Sequence, residues 1–92
     1  MASLISVDGT MREVTPHDLR RGFTLPELYE MLGCSLIEVV KVSPNFLLVI
    51  DEEAKCWDHT MNGEATRIAT GSIFPGDYIA GPALLCSRKE FH

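Results

Sequence analysis

The stretch from Leu36 to Ile50 constrains the fold more than any other part of the chain. Leu36-Ile37-Glu38-Val39-Val40-Lys41-Val42 and Phe46-Leu47-Leu48-Val49-Ile50 are apolar and rich in β-branched residues, and Ser43-Pro44-Asn45 separates them. That pattern reads as strand, tight turn and strand, the central hairpin of a small sheet. A turn at Ser43-Pro44-Asn45 sets Val42 opposite Phe46, Val40 opposite Leu48, Val39 opposite Val49 and Glu38 opposite Ile50. Side chains alternate along a strand, so Leu36, Glu38, Val40 and Val42 share one face and Ile37, Val39 and Lys41 the other. Phe46 to Ile50 is apolar without a break. Both of its faces are therefore expected to meet protein, from helices or from a second subunit. Glu38 is a carboxylate among apolar neighbours, read either as a rim position with a polar partner or as a perturbed functional group.

The rest of the chain supplies further elements. Ser3-Leu4-Ile5-Ser6-Val7 and Met11-Arg12-Glu13-Val14 flank Asp8-Gly9-Thr10, a second hairpin with weaker alternation and hence an edge position. Thr15-Pro16-His17-Asp18 resembles a helix start, stopped early by Gly22. Thr24-Leu25-Pro26-Glu27 matches a capping box. Leu25, Leu28, Tyr29 and Leu32 then follow at helical spacing before Gly33, which predicts a short helix against the sheet. Asp51-Glu52-Glu53 is an acidic turn, and Asn62 is positioned to cap a helix over 63–70 that Gly71 ends. Pro75-Gly76-Asp77 is a turn. Tyr78-Ile79-Ala80 and Ala83-Leu84-Leu85-Cys86 read as a last strand broken at Gly81-Pro82, followed by a polar tail over 87–92. The expected fold is α+β, a mainly antiparallel sheet of about five strands with two or three short helices in a single domain over 1–92.

Composition closes off several function classes. The net charge is −5 and no basic stripe exists to track a phosphate backbone, so nucleic acid is not an expected partner. No apolar run is long enough to span a bilayer, and the first residues lack a signal-peptide layout. Neither a membrane nor a secretory route is expected, and the cytoplasm is the expected location. The cysteines number three, an odd count at irregular spacing, which suggests a reducing compartment and thiols that act as small core hydrophobes. A chain of this length buries roughly 60–65% of its unfolded surface. Together with the apolar strands, that makes a homo-oligomer the expectation, with a dimer as the default.

Chemistry-bearing residues are sparse. Cys56 and His59 stand three apart, and Cys34 and Cys86 could complete a Cys3His set, but a structural zinc usually shows two such close pairs. No metal and no cofactor are expected. Cys-His catalysis is also not expected: Cys34 follows a helix C-terminus, the wrong dipole end for a thiolate, and Cys86 lies in an apolar strand. The chain reads as a non-enzyme. The most suggestive stretch is Trp57 to Arg67. Asn62-Gly63 leaves backbone amides at a helix start, Thr66 and Arg67 add a hydroxyl and a bidentate cation, Trp57 offers a flat face for a base, and His59 is nearby. Trp57, His59, Asn62, Thr66 and Arg67 form the candidate site for a nucleotide-like ligand. The plainer reading of the same residues is an ordinary Asn cap, a surface Arg paired with Glu64 or the acidic turn, and a core Trp57.

Several segments together resemble a known family: Glu27-Leu28-Tyr29, Gly33-Cys34, Ile37-Glu38-Val39-Val40, Val49 to Lys55, Asn62-Gly63-Glu64-Ala65-Thr66 and Ile79 to Cys86. Their order is similar to that of small proteins of unknown function found in bacteriophages, plasmids and other mobile elements, and the likeness covers roughly residues 25 to 87. Members often carry Gly where this chain has Ala54 and Asn where it has Asp51. The resemblance implies an accessory protein with a counter-defence role. Such a protein is expected to bind and sequester a nucleotide-derived immune signal; the alternative is inhibition of a host defence protein by binding it through a strand edge or the acidic surface.

Overall fold

A computed structural model describes residues 2–57 and 60–91, with the side chain of Trp57 outside the description. Five strands and two α-helices follow in the order β1 (Ala2–Ile5), β2 (Met11–Val14), α1 (Leu25–Leu32), β3 (Ile37–Lys41), β4 (Phe46–Asp51), α2 (Gly63–Ala69) and β5 (Ala83–Ser87). Two 3-10 turns, Ala54–Trp57 and Arg88–Glu90, complete the α+β fold. The sheet is antiparallel throughout, in the spatial order β2-β1-β5-β4-β3.

The β3–β4 register pairs Glu38 with Ile50, Val39 with Val49 and Val40 with Leu48, as the turn residues predict. Its place in the sheet differs from the expectation. The hairpin forms one margin with β3 outermost, and the middle strand is β5, whose neighbours are β1 and β4. Hairpin turns specify local pairs only. The long-range pairing of β1 with β5 is what moves the centre.

Both faces of β4 are covered from within the chain. On one face Leu47, Val49, Leu84 and Cys86 meet Leu28 and Leu32 of α1 together with Phe23. On the other, Leu48, Ile50, Ala83 and Val40 meet Ala65 and Ala69 of α2 together with Ile79. The alanines one turn apart on α2 let the helix approach the sheet closely. The unbroken apolar run of β4 is thus covered by two helices, the first of the two sources of burial expected for it.

Helix α1 has the expected capping box. Thr24 and Glu27 satisfy each other's backbone amides, and Gly33 closes the helix in the left-handed conformation with its N–H on Tyr29 O. The helix anticipated from Thr15 does not form. Asp18 Oδ1 accepts from the amides of Arg20 and Arg21 at 2.9 and 3.3 Å, and Gly22 N–H returns to Asp18 O. A side chain that takes nearby amides offers the backbone an alternative to helix. Gly22, at φ +81, then passes so close to Glu90 that a Cβ would lie 2.4 Å from its carbonyl oxygen.

Two other segments depart from expectation. Tyr78 to Ala80 does not join β5, because the amides of Asn62 and Gly81 bind the carbonyls of Ile79 and Thr60 and tie this segment to the start of α2. At the C-terminus, the stretch read as a polar tail docks. Phe23 N–H donates to Glu90 O at 2.7 Å, and Phe91 bridges to Phe23 beside the α1-side core.

Candidate functional site

The predicted site residues fall on one segment but do not converge on a ligand. Asn62 is fully buried. Its Oδ1 accepts from Ala65 N at 3.1 Å, and its Nδ2 donates to Ile5 O and Gly81 O, each at 3.0 Å. One side chain thus caps α2 and ties it to the end of β1 and to the loop before β5. Thr66 is likewise occupied: its hydroxyl donates to Asn62 O at 2.7 Å and accepts from Ile79 N at 2.9 Å. Arg67 is exposed and forked onto Glu64 one turn earlier, through Nε at 3.2 Å and through Nη2. That pairing holds the Glu64 carboxyl below its ordinary range and Arg67 above its own. His59 lies outside the described residues, as does the Trp57 side chain. The polar atoms of Asn62 and Thr66 are spent on the fold, which leaves Arg67 as the described member of the set that faces solvent.

The three thiols sit in different surroundings. Cys86 is buried in β5 and burial, with Glu90 nearby, pushes it up to about 11. Cys34 is half-buried, and burial together with the Asp51 carboxylate raises it. Cys56 is exposed on the first 3-10 turn, contrary to the expectation of a core thiol. Among the described residues, no group of three or more His, Cys, Asp or Glu side chains is arranged to hold a metal ion. The acidic turn is not one surface either: Asp51 is buried at the end of β4, accepts from Glu53 N at 2.8 Å, and leaves Glu52 outside.

A different region gathers the exposed features, along the outer side of β3. Val42 N–H donates to Phe46 O and Glu52 N–H donates to Leu36 O. In an antiparallel ladder such bonded positions recur at every second residue. Glu38 and Val40 therefore turn their backbone groups toward β4, and Ile37, Val39 and Lys41 turn theirs outward, where the described residues add no further strand.

Beside this edge, on the α2 face, stands the loop from Ser72 to Tyr78. Its Phe74 is 84% exposed. A groove of about 360 Å³, bordered also by Lys41 and Asp77, separates Phe74 and Ile73 from Glu38, Val39 and Val40. The loop is latched from behind. The Lys55 ammonium binds the Asp77 carboxylate and lies 4.2 Å from the centre of the Tyr78 ring, while Asp77 also accepts from Tyr78 N at 2.8 Å. These bonds, that of Lys55 foremost, hold the Asp77 carboxyl below its ordinary range. Under the latch is a cavity of about 150 Å³ lined by Glu38, Ile50, Lys55 and Tyr78 among others. Small-molecule pockets usually span ~300–1,000 Å³, so this one is too small for a nucleotide.

Glu38 faces the groove, is exposed, and makes no hydrogen bond or ion pair among the described residues. Its position on a face shared with Val40 was readable from the alternation of the strand. Phe74 was not singled out in the sequence. The available signal was an apolar pair, Ile73-Phe74, immediately before a Pro-Gly turn.

A family model described as a domain of unknown function, DUF3846, matches residues 2–91. No curated protein and no solved structure matches the chain.

Proposed function

The chain belongs to the DUF3846 family, and from that premise we propose that it is an accessory protein of a phage or other mobile element. It acts without catalysis in the host cytoplasm, by binding a host defence protein along the free edge of β3. The mobile-element origin rests on the resemblance of its segments, and the mode of action rests on the surface.

One observation carries the reading: the outward N–H and C=O groups of Ile37, Val39 and Lys41 run beside an almost fully exposed Phe74. An unpaired edge is a template for another strand, and natural proteins usually blunt such edges. Aromatic residues, Phe among them, are enriched in the cores of protein interfaces. The alternative, sequestration of a nucleotide signal around Trp57, His59, Asn62, Thr66 and Arg67, has less support, since Asn62 and Thr66 have no polar atom to spare.

Native mass spectrometry of the protein purified from cells with an active defence system tests this. The expected result is a complex with one host protein that is lost from the Val39→Pro variant. A nucleotide-sized mass, released on denaturation and absent from Arg67→Ala, would overturn the reading in favour of sequestration.

A further inference from the structure

Resting on that reading, we infer that the occupant of the β3 edge is an extended segment carrying a Lys or Arg two residues from an apolar side chain. Strand addition supplies affinity through the backbone and specificity through alternate side chains. On the α2 face, β3 presents Glu38 and Val40 at the two-residue spacing of a strand, with Ile73 and Phe74 across the groove from them. A strand laid along Ile37, Val39 and Lys41 places its own alternate side chains at the same spacing over that groove. The one beside Val40 and Phe74 meets apolar surface. The one beside Glu38 meets a carboxylate with no partner among the described residues. The neighbouring acid, Asp77, is already neutralised by Lys55. A basic side chain at that place is the complement, and an acidic one is repelled, within a chain of net charge −5.

The same geometry disfavours a second copy of this chain as the occupant. Two β3 strands related by a two-fold axis through the sheet must pair residues of the same face. Glu38 would then meet Val40, Val42 or another Glu38. It would not lie opposite Lys41, which also borders the groove but whose side chain alternates with those of Glu38 and Val40 along the strand. A symmetric edge-to-edge dimer would leave the carboxylate uncompensated.

Selection of a random 12-residue peptide display library on the full chain, followed by binding measurements on resynthesised peptides, tests the inference. The expected consensus places Lys or Arg two residues from an apolar residue. Glu38→Lys should weaken such peptides by at least about tenfold. Peptides with the basic residue changed to Glu should recover binding to that variant. Val39→Pro, which removes an outward N–H while leaving the β4 ladder intact, should weaken them by a similar factor or more. Glu38 is exposed, so its variant remains informative should Val39→Pro fail to fold. Peptides without a basic residue, or ones indifferent to Glu38→Lys, would overturn the inference, as would failure to select any peptide. Loss at Val39→Pro with indifference to Glu38→Lys would spare the β3 edge as the binding surface. A host protein retained by Val39→Pro would instead refute the proposed function itself.

Discussion

Replacing Asn62 separates a structural residue from a ligand-binding one. In Asn62→Ala the carbonyls of Ile5 and Gly81 each lose a donor at 3.0 Å, and Ala65 N–H loses the acceptor that caps α2. A buried polar group left unpaired costs ~1–3 kcal/mol, and losing an N-cap costs ~1 kcal/mol. Each carbonyl oxygen keeps a second lone pair, so the lower part of the first range applies and the sum is about 3–5 kcal/mol. A domain of this length has a total stability of roughly 5–14 kcal/mol. The variant should therefore lose a large share of it, read as a lower urea midpoint at unchanged slope, or as a fall in Tm of more than about 12 °C. Asn62→Asp adds a test of sign. Its carboxylate would face two carbonyl oxygens, and protonation would restore one donor, so the folded-state pKa is raised above the unfolded value. The variant should be most stable below about pH 4, the unfolded Asp value, and lose that stability as the pH rises through the raised folded value. A loss under about 1 kcal/mol for Asn62→Ala, the figure for a solvated cap, would refute this account of the residue.

Three further outcomes follow from the packing and charge. Gly22→Ala should cost about 3 kcal/mol or more in chemical denaturation, because a left-handed φ of +81 and a 2.4 Å approach to Glu90 O act together. Gly9→Ala, at φ +91 with open space around it, should cost only the ~1 kcal/mol conformational part; equal losses at the two sites would contradict the close approach. Timed alkylation with peptide mapping should modify Cys56 first, Cys34 slowly and Cys86 only on unfolding, and early labelling of Cys86 would be incompatible with its burial. In acid, Glu27 is held below its ordinary value by the amides of His17 and Thr24, and Asp77 by Lys55 and the Tyr78 amide. Their contribution is full above the unfolded values and is lost as pH falls through the depressed folded ones. Stability measured from pH 6 downward should accordingly decline below about pH 4, and less so in a Glu27→Gln, Asp77→Asn double variant.

Much of the fold was legible because its signals are local. The capping box at Thr24 and Glu27, the Gly33 stop and the Ser43-Pro44-Asn45 turn each act within a few residues, and each fixes a helix end or a register. What escaped the sequence depends on distant partners. The failure of the helix after Thr15 involves the Asp18 side chain and the later arrival of Glu90 at Gly22. The displacement of the hairpin to the sheet margin follows from the pairing of β1 with β5. At the candidate site, Asn62 was legible as a cap but not as a tie to Ile5 and Gly81, whose positions only the sheet determines. Thr66 could not be seen to spend its hydroxyl on Ile79 for the same reason. Glu38 and its face were readable from alternation, whereas the loop that brings Phe74 beside it was not.

Hydrogen–deuterium exchange of the full chain, free and with the host protein proposed to bind it, tests the β3 edge most directly. The outward amides of Ile37, Val39 and Lys41 should exchange freely in the isolated chain and become protected in the complex, together with the segment around Phe74. Unchanged exchange along β3, with new protection confined to residues 62–67, would contradict the account and return the binding site to the start of α2.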